Sequence, residues 1–193
     1  MFLYKRVVFV ALTLLLGAGA EAQYGVPLSH TDPRLEAVAA RELVARYCRM
    51  DYAGARLTPS EWSKLEPLVA WRTDPEYPLM MVTSRFDLDP EPIQEHGKYL
   101  ITVHYRLLGK FDMTEGFSNE SANKIQDVQY VVSEVNGGWR ITAAEPNYPH
   151  PSRAAVLQWL NGKLADSQDP ESKVIYLHAV QDLQPKVSVT PAQ

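Results

Sequence analysis

One histidine and one glutamate in this sequence could transfer protons in a buried site, and both occur in segments typical of β-strands. His104 lies in an alternating run in which Tyr105 belongs to the apolar set and Arg106 to the polar one. Successive side chains of a strand point to opposite faces. Burying His104 and Arg106 without an acidic partner would be costly. We therefore expect Tyr105 to face the interior and His104 to face outward, where it cannot act as a pocket base.

Glu145 is the second candidate for proton transfer. It ends the run that carries Ile141, and we expect both on one face, with Glu145 near the mouth of any pocket. A carboxyl group in such a place can have a raised pKa and act as a general acid or base. The alternative is a solvated acid at a strand end, because acidic side chains are rarely buried.

A set of aromatic residues along the chain could line a small apolar cavity with Glu145 at its mouth. The alternative is that they are simply the core, because aromatic side chains dominate protein cores in any case. The candidate pocket comprises Tyr47, Trp71, Phe86, Tyr105, Tyr130 and Trp139, together with Glu145.

The sequence lacks the common metal and cofactor motifs. No two histidines are four residues apart, and the only cysteine is Cys48, so a zinc site is not expected. The acidic segment from Asp87 to Glu91 lacks the glycine and the distal glutamate of a calcium loop. No phosphate loop, no G-x-S-x-G and no nucleophile–base pair is present. We expect no metal and no cofactor, and a buried Cys48 that packs in the core.

Two helices are predicted before any strand. Asp32 and Pro33 are typical of a helix start. Thr58-Pro59-Ser60-Glu61 has the pattern of a capping box that starts a second, shorter helix, which should break at Pro67. The predicted apolar stripe of the first helix consists of Leu35, Ala39, Leu43, Tyr47 and Met50.

The pattern then changes to alternation with period two. A strand is predicted from Leu79 to Leu88, a loop from Asp87 to Glu95 and a long strand from Lys98 to Lys110, followed by a polar connection over 114–124. Asn136-Gly137-Gly138 then predicts a hairpin within Ile125–Glu145. A two-residue turn would pair Val132 with Ile141 and Tyr130 with Ala143, whereas a three-residue turn would pair the other face.

Two further helices complete the pattern. Ser152 can cap a helix that runs to about Leu164, and Asp169-Pro170 starts another that reaches Leu183. The residues after Pro185 have no such signals, so we expect a flexible tail over 186–193.

Residues 1–22 have the features of a secretory signal peptide. Lys5 and Arg6 precede an apolar run from Val7 to Leu16, and Ala20-Glu21-Ala22 fits a cleavage site. The run is too short to span a membrane, so no stable anchor is expected after cleavage. An extended leader over 23–31 would follow. We therefore expect an exported protein, periplasmic or secreted.

The charge and the cysteine content of the chain limit the kinds of partner that we expect. The formal net charge is −4, and no block of basic residues occurs, which argues against nucleic-acid binding. A single cysteine rules out an intramolecular disulfide, so stability must come from the apolar core, for which the 46% hydrophobic content is adequate. The expected partners are a small apolar ligand or a second copy of the chain bound through the sheet face.

The order of these elements resembles the nuclear transport factor two-like α+β cone, in which a curved antiparallel sheet wraps around helices and encloses a pocket. The resemblance lies in three segments, ELVARYC, KYLITVHYRLLG and VVSEVNGGWRITAAEP, and spans roughly residues 33–146. It implies an α+β fold with a curved antiparallel sheet wrapped around N-terminal helices over 32–148, and additional C-terminal helices over 149–185.

The family includes ketosteroid isomerases, dehydratases, polyketide cyclases and many non-catalytic binding or dimerising members, so the fold does not fix the function. None of those catalytic sets can be placed on this chain residue by residue. Three hypotheses follow. The first is an exported non-catalytic domain that binds a small apolar ligand or a protein. The second is an acid/base isomerase, dehydratase or cyclase that uses Glu145 and tyrosines. The third is a structural dimerisation module.

Overall fold

A computed structural model describes residues 32–71 and 78–184. The predicted signal peptide (1–22), the leader (23–31) and the tail (186–193) lie outside the described residues. The fold is α+β, with a curved, unclosed antiparallel sheet of six strands, helices before it and helices after it. The fold class inferred from the sequence is therefore confirmed.

Helix α1 (Pro33–Tyr52) begins where the sequence predicts, and the Asp32 carboxylate accepts a hydrogen bond from the Arg34 amide at 2.9 Å. The predicted apolar stripe is wrong at its first residue, because Leu35 is 60% exposed. The helical repeat instead carries Ala40, Val44 and Tyr47 inward. The same face ends in a buried carboxylate, Asp51, which a search for apolar spacing alone passes over.

Helix α2 (Pro59–Leu65) and a short 3₁₀ turn (Glu66–Leu68) follow. The capping-box prediction was wrong in its central contact, because the Thr58 side chain makes no capping hydrogen bond. Pro67 falls in the 3₁₀ turn, so the α-helix ends just before it, as predicted. Beyond the turn, the Ala70 amide donates to the Ile141 carbonyl at 2.8 Å and covers one edge of the sheet.

The sheet is organised around its longest strand. The strands are β1 (Leu79–Leu88), β2 (Ile93–Glu95), β3 (Lys98–Asp112), β4 (Gly116–Ser118), β5 (Ile125–Val135) and β6 (Gly138–Glu145). Their order is β1-β3-β5-β6, and β2 and β4 also pair with β3. The two three-residue strands, β2 and β4, lie in segments predicted as connections, because segments so short carry no readable alternation.

The alternation of β3 is strict. Its inward residues from Tyr99 to Phe111 are buried at every second position, and the intervening residues are partly exposed. Tyr105 is fully buried, and the His104 side chain is 36% exposed on the outer face. The predicted orientation of this strand is confirmed.

The terminal hairpin has a two-residue turn. Asn136 and Gly137 have φ angles of 54° and 80°, as a type I′ turn requires, and Val132 pairs with Ile141. A bulge between Val131 and Val132 then shifts the register by one residue. Tyr130 therefore lies opposite Ala144 and not Ala143, and the faces of the last residues of β6 are exchanged.

Helices α3 (Arg153–Asp166) and α4 (Pro170–Leu183) form a second core with one end of the sheet. Ser152 and Asp169 cap them through their side chains, as predicted. Val156, Leu160 and Tyr176 pack there with Phe111, whereas the main core lies between α1 and the rest of the sheet. The helical extension is thus packed on the domain.

The close approach of β4 to β3 depends on Gly109. A Cβ atom at this position would overlap the Ser118 carbonyl oxygen and lie 2.6 Å from Phe117 Cζ. We expect Gly109→Ala to lower the free energy of unfolding by about 1–3 kcal/mol, because backbone atoms must move to admit the methyl group. Urea denaturation of both proteins measures this difference.

Gly162, within α3, is the matched control, because a Cβ atom there meets nothing within 4 Å. Gly162→Ala should leave stability unchanged or raise it by up to about 1 kcal/mol, since alanine favours helix more than glycine does. Equal destabilisation by both substitutions would contradict the role assigned to Gly109.

Candidate functional site

The predicted aromatic pocket is centred on two tyrosines and the single cysteine. Tyr105 Oη donates to Cys48 Sγ at 3.1 Å and lies 2.9 Å from Tyr130 Oη. A hydroxyl carries one hydrogen, so when Tyr105 donates to Cys48 it accepts from Tyr130. All three residues are buried. Helix α1 supplies Cys48, and the inward positions of β3 and β5 supply the tyrosines, so the fold brings these groups together.

Three further residues of the predicted set join this centre. The Tyr47 ring meets the rings of Tyr130 and Trp71 edge-on, with centroids 5.7 and 6.4 Å apart. The Phe86 ring lies 5.9 Å from that of Tyr105. Each ring therefore faces another ring of the set, and the group packs as the aromatic part of the main core.

Trp139 and Glu145 do not join the centre. The Trp139 ring packs on that of Tyr99 with centroids 5.3 Å apart, and Trp139 is half-buried at the edge of the main core. Glu145 is exposed and lies opposite Gln129 on the outer face of the sheet. The prediction that Glu145 shares the face of Ile141 was wrong, because the bulge in the hairpin reverses the alternation before the strand ends.

His150 fills the space beside Tyr105. Its imidazole stacks on the Tyr105 ring at a centroid distance of 3.9 Å, and the residue is fully buried. Its backbone amide donates to Asp51 Oδ2 at 3.0 Å, and Nε2 lies 3.1 Å from Gln126 Oε1. The burial of His150 was not predicted from the sequence, since irregular backbone carries no periodicity that predicts burial.

The backbone on either side of His150 holds it in place. The Met81 amide donates to the Pro149 carbonyl and the Thr83 amide to the Pro151 carbonyl, each at 2.9 Å. These bonds cover the free edge of β1. The Ser152 amide donates to the Tyr52 carbonyl at 2.8 Å, which attaches the same segment to α1.

Four of the buried groups have pKa values far from neutral pH. Burial, with the nearby Arg56 guanidinium, lowers the pKa of His150 to about 3, so the ring is neutral. Burial raises the pKa of the Cys48 thiol to about 12 and raises the pKa of Tyr105 and Tyr130 well above the usual value. A general acid or base works best with a pKa near the working pH. These four groups therefore keep one protonation state near neutral pH.

A groove of about 530 Å³ lies elsewhere, between helices. One wall is the connection from α1 to α2 and the start of α2, and the other is one face of α3. Its volume falls within the range of small-molecule sites. The lining residues most relevant to binding are Leu57, Thr58, Glu61, Trp159, Lys163 and Asp166. The sequence does not reveal this groove, because its walls are far apart in the chain and have no common motif.

A third cluster lies on the outer face of the sheet. His104 Nδ1 is 2.7 Å from Asp127 Oδ1, and His104 Nε2 is 3.0 Å from Asp89 Oδ1. The hydrogen bond with Asp127, followed by that with Asp89, raises the pKa of His104. The Arg41 guanidinium donates to the Asp89 carbonyl at 2.8 Å, so this cluster also fastens the end of β1 to α1.

Within 32–71 and 78–184, no group of three histidine, cysteine, aspartate or glutamate side chains is arranged to hold a metal ion. In the same ranges, no helix has the length and apolar character needed to cross a membrane. Comparisons with protein-family models, with curated proteins and with solved structures found no match to this chain. The resemblance to the nuclear transport factor two-like cone therefore stays a prediction.

The hydroxyl pair should contribute to stability. Tyr105→Phe removes the bond to Cys48 and leaves the Tyr130 hydroxyl without its Tyr105 partner in a dry interior. We expect a loss of about 1–3 kcal/mol in the free energy of unfolding. Tyr105→Phe combined with Tyr130→Phe should cost less than the two single changes added together, because both remove the same bond.

Tyr176→Phe is the control, since Tyr176 is also buried but its hydroxyl forms no hydrogen bond with the described residues. It should change stability by less than about 0.5 kcal/mol. Urea unfolding of the four variants tests this, and strictly additive costs for Tyr105 and Tyr130 would disprove the shared bond.

His104 should make stability depend on pH. Its pKa is raised in the folded state, so its contribution is complete below the unfolded pKa of about 6.5 and is lost as the pH rises through the folded value. The side chain is 36% exposed, so solvent screening limits the effect to less than about 1 kcal/mol. Urea midpoints of wild type and His104→Gln, measured from pH 5.5 to 9, should converge at the alkaline end.

His178→Gln, an exposed position on α4, is the control and should leave the pH profile of the wild type unchanged. A constant difference between wild type and His104→Gln across this pH range would mean that the imidazolium form contributes nothing.

Proposed function

We propose that this chain is an exported, non-catalytic binding module of the cone-like type, and that its ligand site is the groove between the α1–α2 connection and α3. One observation carries the proposal. The interior position in which a cone-shaped enzyme would hold its substrate is occupied by the chain's own rings, with His150 stacked on Tyr105.

The electrostatics of the interior argue in the same direction. Catalysis by an isomerase, dehydratase or cyclase of this type needs a proton acceptor that reaches the substrate. Glu145 lies on the opposite face of the sheet, and the pKa of buried His150 is lowered to about 3. Burial raises the pKa of Tyr105, Tyr130 and Cys48, so all three side chains stay protonated near neutral pH. The acid/base alternative therefore loses Glu145, the base on which it rested.

Export is part of the proposal and rests on Lys5 and Arg6, the apolar run from Val7 to Leu16 and the Ala20-Glu21-Ala22 pattern. The intact mass of protein recovered from outside the cytoplasm tests whether the signal peptide is removed. A full-length mass in that fraction would exclude cleavage.

A second candidate, dimerisation through the sheet face, has one observation in its favour. Ile93 pairs with Leu100, Leu100 with Val131, and Val131 with Ala143, so four apolar side chains form a single row across the outer face. Ile93 is 55% exposed. The same face also carries the charged cluster of His104, which would be costly to bury. Binding in the groove is therefore the stronger proposal.

Amide chemical shifts during titration with indole and benzyl alcohol test the binding site. We expect perturbations in residues 53–61 and 155–166, because these line the groove. Gly162→Leu should abolish them, since a side chain at this open position would fill the groove without meeting other atoms near its Cβ. Gly137→Ala, at the tip of the hairpin, is the control and should leave the perturbations intact.

Perturbations confined to Ile101, Tyr105, Tyr130 and His150 would instead support a substrate site in the interior and overturn the proposal. Sedimentation velocity on the same samples tests the second candidate. A stable dimer dissociated by Val131→Asp would favour it.

A further inference from the structure

The groove has a wall suited to recognising charge as well as shape. Trp159 lies on the lining face of α3, and its ring is held edge-on by those of Phe111 and Tyr176, with centroids 5.8 and 6.3 Å away. Two aromatic neighbours fix the orientation of the indole. Its face is thus a rigid surface whose negative quadrupole attracts cations.

A cation already occupies this surface. Lys163, one turn along α3, places Nζ 5.5 Å from the centre of the Trp159 ring. That distance lies within the range of cation–π attraction. An ammonium group is therefore compatible with the groove in both space and charge. Among the described residues Lys163 Nζ has no ion-pair partner, so a ligand ammonium group could take its place over the ring.

The other charges of the groove favour a positive ligand. The lining contains two acidic residues, Glu61 and Asp166, against one basic residue, Lys163. Asp166 is the last residue of α3, where the helix carbonyl groups add negative potential. Glu61 forms an ion pair with Lys64, whereas Asp166 forms no ion pair with the described residues. Moving Lys163 into solvent would leave the groove with its acidic groups in excess.

The remaining walls fit the rest of such a ligand. Ala53, Leu57 and Pro59 form an apolar side, and Gly162 leaves space opposite.

We propose that the groove binds a small organic ammonium cation with an apolar substituent, its charged nitrogen over the Trp159 ring where Lys163 Nζ now lies. This inference rests on the proposed function and specifies its ligand class. The apolar groups of the cation would lie against Leu57 and Pro59, with the carboxylates of Glu61 and Asp166 at the rim.

Choline and its neutral isostere 3,3-dimethylbutan-1-ol are the probes, because they differ by a nitrogen and its charge. In chemical-shift titrations of the full chain, we expect choline to bind about fivefold more tightly. Lys163→Gln removes the internal competitor and should tighten choline binding by about threefold without changing the affinity for the neutral probe. Lys173→Gln, an exposed lysine on α4 outside the groove, is the charge-matched control and should change neither affinity.

Trp159→Leu should abolish the preference for choline. Because this substitution could also weaken the second core, Asp166→Asn provides an independent test at the rim and should lower choline affinity alone. Equal affinity of both probes for the groove would overturn this inference and leave the proposed function standing. If neither choline nor the neutral probe binds, and indole causes no perturbation in the groove, both this inference and the proposed function are overturned. Weaker choline binding in Lys163→Gln would show that Lys163 is not a competitor.

Discussion

The alternation of β3 is the constraint on which the remaining structure depends. This strand pairs with β1, β2, β4 and β5, so its register sets the position of four others. A slip of one residue would bring His104 and Arg106 into the main core and expose Tyr105. The penalty for burying those polar groups is large compared with the net stability of a domain. The outer cluster adds to this constraint, because Asp127 and Asp89 can reach His104 only when it faces outward.

Several polar groups buried on the inner face form hydrogen bonds with each other. Asp51 accepts the His150 amide, Gln126 meets the imidazole, and Tyr105 joins Cys48. These groups lie in a dry environment, where charged forms are disfavoured. Burial therefore lowers the pKa of His150 to about 3 and raises that of the Cys48 thiol to about 12. The burial that packs this core is thus also what moves both pKa values away from neutral pH.

Local signals in the sequence predicted most of the fold. Capping at Asp32, Ser152 and Asp169 and the Asn136-Gly137 turn each depend on a few neighbouring residues, and all four are confirmed. The misses depend on contacts distant in sequence. The position of Glu145 follows from a bulge that sequence alternation does not reveal, and the burial of His150 follows from hydrogen bonds to β1. The groove was missed for the same reason, since its two walls come from segments far apart in the chain.

The helical extension gives the domain a surface that the sheet and α1 alone would lack. Val156 and Leu160 attach α3 to the second core. Because a helix has several faces, this leaves Trp159 half-buried at the side and Lys163 and Asp166 farther out, next to the α1–α2 connection. Gly54, with a φ of 95°, turns the chain there and lies so close that a Cβ atom would be 3.0 Å from that of Ala155. The connection therefore lies against α3 at this point, and the groove extends from it along α3. A domain whose interior is filled by its own side chains thus keeps a concave site at the junction of the helices.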